Sequence, residues 1–343
     1  MRILLVSHYY APENLPINYV SKLLAENNND LEILTGKPNY PEGSFYPGYG
    51  FFSKIKDRVD GITVYRLPVI PRGRRFRFIG LILNYLSFIF SVCLIAPFLI
   101  RKKQYDYIFI YGTTPLTSAL PALFLGSIKK IPVILWVQDL WPESIVAQGF
   151  KLPNVFISII ELIVKFIYEK ADLIFCQSRS FQERIMNQFQ IPKNKVKYLP
   201  NVIDRLFLET PKKYILPKEI MDLKGSFNIL FTGNISEAQS LSTVLDSAEI
   251  LLQNGHNNIN YVIVGSGSKL EELEHQKEKR NITNIFFTGA FPLDHMPSFI
   301  KFSDALLILL KDEVIFNQTI PNKLQSYLAS GKPIIGSIGG EGA

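Results

Sequence analysis

Residues 79 to 100 run for 22 positions without a charge, between the basic flanks PRGRRFRF and RKK. An uncharged apolar stretch of about 18 residues or more ordinarily spans a bilayer. The surrounding sequence argues against spanning here. Short β-rich runs precede it (3–6, 31–35, 62–67) and follow it (107–111, 133–137), and strands of one sheet cannot be divided across a bilayer. The run is therefore expected to be a helix that packs on the sheet or lies in the membrane interface. Asn84, Ser87 and Ser91 form a thin polar stripe on it, and Arg72, Arg74, Arg75, Arg77, Arg101, Lys102 and Lys103 are placed to touch anionic headgroups. Interfacial attachment is favoured over a wholly internal helix, because one sheet face does not cover so uniform a surface.

Alternation of short apolar runs with amphipathic stretches organises the rest of the chain. Further strands are expected at 173–176 and 195–199, with helices at 17–26, 116–125, 154–170 and 179–189. These complete one doubly wound α/β domain over 1–205. A looser stretch with lysines, 206–226, reads as a linker. Alternation restarts at 227 and runs to 343, so a second Rossmann-like α/β domain is expected there. At 343 residues the chain is too long for one ordinary core and suits two.

A net charge of +7 favours an anionic partner, a phosphorylated ligand or an acidic lipid surface. The only two cysteines, Cys93 and Cys176, each sit in an apolar run, the pattern of buried thiols in a reducing compartment, with no zinc spacing. MRILLVSHYY has too short an apolar core for a signal peptide and reads as a first strand.

Parallel strands buried on both faces deliver chemistry at their carboxyl ends. The polar clusters fall there. In the first half they are Ser7-His8-Tyr9-Tyr10, Gly112-Thr113-Thr114-Pro115, Gln138-Asp139 and Gln177-Ser178; in the second, Thr232-Gly233-Asn234, Gly265-Ser266-Gly267, Thr288-Gly289 and Pro321 to Pro333. Each glycine follows a strand, where it lets backbone approach a ligand.

Taken in order, HYYAPE, VQDLWPES, LPNVID, FTGNISEAQSL, VGSG and PNKLQSYLASGKPII resemble the family 4 retaining glycosyltransferases of the GT-B fold. The resemblance spans nearly the whole chain and is nearest to bacterial aminodeoxysugar (L-fucosamine-type) transferases of O-antigen and capsule synthesis. It implies two Rossmann-like domains about a cleft, the second donor-binding and the first acceptor-binding. A sugar would pass from a nucleotide diphosphate donor, UDP-linked, to a lipid-linked oligosaccharide on the cytoplasmic face of the plasma membrane. Retention in this fold proceeds by front-face attack without a metal or other cofactor, so the protein itself must neutralise the departing pyrophosphate. No nucleic acid partner is implied.

Carried onto this sequence, the donor side comprises Gly233, Asn234, Gln239, Gly265, Gly267, Gly289 and Ser326, with Lys323 as phosphate partner at a helix start. The sequence departs from the family pattern at Asn234, where many members carry arginine, and in GNISEAQSL, which lacks the usual lysine. The usual glutamate pair falls on Gln318 and Ser326. Asn234 and Gln239 keep amide donors for phosphate or sugar oxygens. On the acceptor side, Asp139 is expected to accept the acceptor hydroxyl's proton contact, or else to cap the helix that follows it. Glu143 is the second candidate acid. His8 and Tyr9 are expected to line the site, His8 touching donor phosphate or acceptor. The tyrosine-rich stretch Pro38 to Phe52 reads as a packed surface loop rather than an acceptor loop, and His256, His275 and His295 as surface residues.

The chain stops at IGGEGA, before the further strand and helices that usually follow in the family, so a shortened second domain is expected. Two other readings stand beside this one. A nucleotide-dependent oxidoreductase is opposed by the lack of G-x-G-x-x-G after the first strand. A non-catalytic or impaired sugar-nucleotide-binding relative is favoured by the missing cations and acid.

Overall fold

The computed structural model describes all residues except 74–76, 148–151 and 209–213. Arg74 and Arg75 of the basic flank lie outside the described residues, as do the side chain of Arg77 and part of the expected linker. The chain divides into two compact units, 1–200 and 201–343.

The first unit runs β1 (Arg2–Val6), α1 (Ile17–Glu26), β2 (Asp30–Gly36), β3 (Lys56–Val59), β4 (Ile62–Leu67), α2 (Arg77–Leu99), β5 (Tyr107–Gly112), α3 (Ala119–Lys129), β6 (Val133–Val137), α4 (Glu143–Ala147), α5 (Asn154–Lys170), β7 (Leu173–Cys176), α6 (Arg179–Phe189) and β8 (Val196–Tyr198). These strands form one sheet, ordered β3-β4-β2-β1-β5-β6-β7-β8 and parallel except for β3 against β4. The sequence reading missed β3 because its residues, KDRV, are mostly charged. Such residues suit an antiparallel edge strand. The central strands are buried on both faces, as their uninterrupted apolar runs require. Ile3 and Leu5 of β1 enter the core shared with Ile17 and Val20 of α1, while Leu4 and Val6, equally buried, point to the opposite face.

Since β4 and β5 lie in one sheet, α2 crosses over that sheet and does not divide it. Its fully buried line is Asn84, Phe88, Val92 and Ala96, one residue per turn. The polar stripe faces inward. Ser87 Oγ accepts from Ile70 N at 2.9 Å, Asn84 Nδ2 donates to Ile70 O at 2.7 Å, and Ser91 Oγ donates to Pro68 O. The outward face is left apolar: Ile79, Ile82, Leu83, Leu86, Phe90, Leu94 and Phe98 are all exposed. Two members of the expected headgroup-binding flank also turn inward. Lys103 pairs with Glu32 and Tyr65, and Arg72 lies over tyrosine rings. A buried carboxylate draws in the nearest cation, so Glu32 takes Lys103 from the surface. Arg101 and Lys102 remain exposed.

The second unit contains α7 (Lys218–Met221), β9 (Phe227–Thr232), α8 (Ser242–Gln253), β10 (Ile259–Val264), α9 (Leu270–Lys279), β11 (Ile285–Gly289), α10 (Met296–Phe302), β12 (Ala305–Leu309), α11 (Val314–Asn317), α12 (Asn322–Ser330) and β13 (Ile334–Ser337). Its parallel sheet is ordered β11-β10-β9-β12-β13. Ile229 and Phe231 pack under α8, whereas Leu230 packs with Tyr327 of α12 on the other face. Leu216 and Ile220, inside the stretch read as a linker, are buried in that second core. The lysines around them hid two apolar residues that fold onto the sheet.

Asn84 is the polar centre of the α2 attachment, since its side chain also accepts from Tyr9 Oη and faces His8 Nε2, both at 2.9 Å. Replacing it with leucine, of similar size, removes the side-chain bonds to His8 Nε2, Tyr9 Oη and Ile70 O and leaves the buried imidazole nitrogen without its partner. Asn84→Leu is expected to lower stability by about 2–4 kcal/mol, read as a shift of the urea midpoint.

Candidate active site

In the second unit, the glycine turns after β9 and β10 pack directly on one another. Gly233 N donates to Val264 O, and Gly265 N donates to Gly289 O, both at 2.9 Å. Gly265 has φ +154°, and a Cβ there would lie 1.8 Å from Gly233 O. At Gly267 a Cβ would meet Ile235 O at 2.2 Å and Asn234 Oδ1 at 2.6 Å. Only glycine permits these approaches. Five expected donor residues, Gly233, Asn234, Gly265, Gly267 and Gly289, thus share one edge of the sheet.

Lys323 joins them from the first turn of α12. Its Nζ donates to Gln239 Oε1 at 2.8 Å, rests 3.8 Å from the centre of the Phe231 ring, and lies 3.1 Å from the Cβ position of Gly233. No carboxylate pairs with it among the described residues, and burial pushes its pKa down to about 7. An ammonium so placed is short of anionic partners. The helix N-terminus adds a positive field at the same point. Ser326 lies one turn further along α12, half-buried.

Three supports were not visible in the motifs. Tyr327 Oη accepts from Thr232 N at 2.9 Å, tying α12 to the end of β9. Asn201 of LPNVID donates to Asn322 at the start of α12. Phe231 supplies the aromatic floor beneath Lys323. The position of Tyr327 four residues after Lys323 was the available signal, since it places both on one helix face.

In the first unit, Asp139 follows β6 and its carboxylate reaches across to β5. It accepts from Thr114 N at 2.8 Å and Thr114 Oγ1 at 3.0 Å. Trp141 Nε1 donates to the same Thr114 Oγ1 at 3.2 Å. Asp139 therefore does not cap α4, which begins only at Glu143. Burial raises its pKa while the two Thr114 bonds oppose the rise. A carboxylate in this state suits a proton acceptor better than a free surface aspartate does.

Glu143 is placed differently from the expectation. It forms an ion pair with Arg184 of α6 at 2.6 Å, which neutralises its charge and anchors α4. His8 also departs from its expected role. It is buried against Phe88 and Tyr85 of α2, and burial lowers its pKa to about 3. A neutral imidazole bonded to Asn84 orients its neighbours and offers no charge to a phosphate. Tyr9 donates to the same Asn84 and accepts from Arg72 Nε at 2.8 Å. The nearby carboxyl of Glu13 is fully buried and accepts from the backbone N–H groups of Tyr10, Asn39 and Tyr40. It thereby fastens the loop after β1 to the loop after β2. That second loop is packed, with Tyr46 Oη donating to Tyr40 O at 2.8 Å and Lys37 Nζ donating to Ser53 O at 2.7 Å. Among the described residues, no group of three or more His, Cys, Asp or Glu is arranged to hold a metal ion.

Residues 19–202 match the family model described as glycosyl transferase 4-like domain, and residues 218–342 match glycosyl transferases group 1. The chain belongs to this glycosyltransferase family. Among its relatives, the transferase is 23% identical to a protein of Escherichia coli (strain K12) named as a colanic acid biosynthesis glycosyl transferase, WcaI, over 96% of this chain and 82% of that one. It superimposes on Anabaena Alr3699/HepE, solved with UDP and glucose, with TM-score 0.65 and 14% identity, covering 99% of this chain and 82% of that one. It also superimposes on WaaG, a glycosyltransferase involved in lipopolysaccharide biosynthesis, with TM-score 0.63 and 12% identity, covering 98% and 82%. These structures share the GT-B fold, two Rossmann-like α/β domains.

The paired glycine turns make a sharp test. Gly265→Ala is expected to destabilise the transferase by on the order of 2–4 kcal/mol. Gly336→Ala, whose Cβ would meet nothing closer than Ile338 at 3.9 Å, should stay within about 1 kcal/mol of the parent. Thermal melts of the two variants check the contrast.

Proposed function

We propose that the transferase is a retaining, metal-independent enzyme that moves a sugar from a UDP-linked donor to a lipid-linked oligosaccharide during surface polysaccharide assembly, with an aminodeoxysugar of the fucosamine type as its cargo. The observation that carries the donor half is the Lys323 ammonium, desolvated beside the glycine turns with no carboxylate among the described residues to neutralise it. A diphosphate supplies the missing negative charge. Asn234, Gln239, backbone N–H groups of the turns and the start of α12 complete its neutralisation. The solved neighbour that holds UDP and glucose, and the named roles of WcaI and WaaG, support the same reading. In the first unit, Asp139 is the proposed contact for the acceptor hydroxyl, with His8 and Tyr9 holding the surrounding loop.

The acceptor half rests on the apolar outer surface of the helical layer. Besides α2, the neighbouring α3 exposes Phe124 and Ile128, and α5 exposes Val155, Phe156, Ile159, Leu162 and Phe166. A groove at the end of this layer is lined by Phe124, Phe166, Lys130 and Lys170. Exposed apolar area on three adjacent helices, edged by Arg101, Lys102 and Lys130, suits the interface of a bilayer with anionic headgroups. We place the protein on the cytoplasmic face of the plasma membrane, where a lipid-linked acceptor is within reach.

Incubation with a panel of nucleotide sugars and a lipid diphosphate-linked acceptor tests the reaction, and the anomeric configuration of the product tests retention. Turnover with Asp139→Ala at the wild-type rate, or binding without turnover in the wild type, counts against the assignment. The lysine predicts a pH dependence. Unliganded Lys323 loses its proton as pH rises through about 7, whereas beside an esterified diphosphate, whose charge is constant in this range, it stays protonated. Affinity is therefore full below that pH and falls above it, approaching tenfold per unit. From pH 6.5 to 8.5 the Kd for a nucleotide sugar should rise by about tenfold or more, and Lys323→Arg should flatten the profile. Membrane attachment is checked by flotation with anionic vesicles: Leu94→Glu with Phe98→Glu should release most of the protein, and neutral vesicles should bind less of the parent.

A further inference from the structure

Arg72 is held in a way that neither packing nor surface solvation requires. Its guanidinium lies over three tyrosine rings, 4.8 Å from the centre of Tyr9, 4.8 Å from Tyr40 and 5.9 Å from Tyr85. The rings come from three separate segments: the loop after β1, the loop after β2, and α2. Nε donates to Tyr9 Oη at 2.8 Å, and that hydroxyl donates in turn to Asn84 Oδ1 at 2.9 Å, so the orientation of the fork is set by the buried centre of the α2 attachment. The main chain is held as well, with Arg72 N donating to Asn39 Oδ1 at 3.4 Å. No carboxylate of the described residues lies within ion-pair distance of it.

Fixed guanidinium groups in proteins ordinarily meet a carboxylate or phosphate through two parallel N–H bonds. Here Nε is taken by a phenol and the aromatic faces take the flat sides, which among the described residues leaves the Nη edge open to a partner. The aromatic surround lowers the local dielectric and strengthens whatever charge pair forms there. Tyr85 feels both the Arg72 guanidinium and the Asp139 carboxylate, so the two charges act on one ring of the first unit.

We propose that Arg72, with Tyr9, Tyr40 and Tyr85, is an anion-binding subsite that anchors a negatively charged group of the acceptor, a phosphate or a sugar carboxylate. This rests on the reading of the first unit as the acceptor side. It separates Arg72 from the exposed Arg101 and Lys102, whose charges face solvent. Arg72 is a specificity residue: it grips a remote charge and leaves the reacting hydroxyl to Asp139.

The experiment uses the full chain carrying Lys323→Ala, which weakens the phosphate contact of the second unit. It is titrated with farnesyl diphosphate, with octyl glucuronide and with the neutral octyl glucoside, the first two separating phosphate from carboxylate. One anionic probe is expected to bind about tenfold or more tighter than octyl glucoside, the size of effect that charge-assisted bonds give. Arg72→Ala should abolish that preference, and Arg72→Lys, which keeps the charge and loses the fork, should remove most of it, while octyl glucoside binding stays unchanged in both. Equal loss for charged and neutral probes would identify Arg72 as a mere latch of the loops, and an unchanged preference in Arg72→Ala would also overturn the subsite. If Arg72→Ala does not fold, Arg72→Lys decides. Nucleotide-sugar binding measured on Arg72→Ala with Lys323 intact separates the two readings. Nucleotide-sugar binding retained while the chain with Arg72 intact shows no anion preference defeats this subsite alone, whereas no nucleotide binding even in the parent defeats the donor assignment.

Discussion

An ammonium group withdrawn from water without a counter-charge is unstable unless something else compensates it, and among the described residues of the second unit Lys323 is one. Phe231 and Gln239 give Lys323 a quadrupole and a single neutral acceptor. These hold its position without satisfying its charge. The turns beside it pack closely, since a Cβ at Gly265 or Gly267 would collide with neighbouring backbone and one at Gly233 would press on the ammonium at 3.1 Å, and α12 begins beside them. A carboxylate in the same place would neutralise the ammonium and remove the electrostatic reason for an outside anion to bind there.

The first unit solves a different problem. Its second helix buries a line of one residue per turn and leaves the rest of a strongly apolar surface facing outward. The few polar atoms of that helix are turned toward the sheet, the reverse of an ordinary amphipathic helix. Inward polarity gives the helix a fixed rotation, because Asn84 and Ser87 each have partners in only one orientation. The outward surface is then free to be as apolar as its surroundings require.

Much of this was legible in the sequence, for identifiable reasons. Buried parallel strands announce themselves as uninterrupted apolar runs, and the polar clusters that close them marked the candidate site at Asp139 and the Gly233 and Gly265 turns. Lys323 was legible because Pro321, two residues before it, signals a helix start. Less legible were features that depend on what arrives from a distant segment. Nothing near Glu143 indicates that Arg184 will neutralise it, nothing in HYYAPE shows that Asn84 will hold His8 and Tyr9, and β3 carries charges that mask a strand. Arg72 read as one more cation of a basic run, and its three tyrosines are 63, 32 and 13 positions away in the sequence.

Lys323 and Tyr327 stand on neighbouring turns of α12, one bearing the charge and the other clasping the backbone of Thr232 just ahead of Gly233. The helix and the turn are consequently a single mechanical part. A displacement of the lysine's helix would reach the end of β9 through one phenol, so the strand's last residue would sense it without touching a ligand. Thr232 is thereby a natural place for a spectroscopic label.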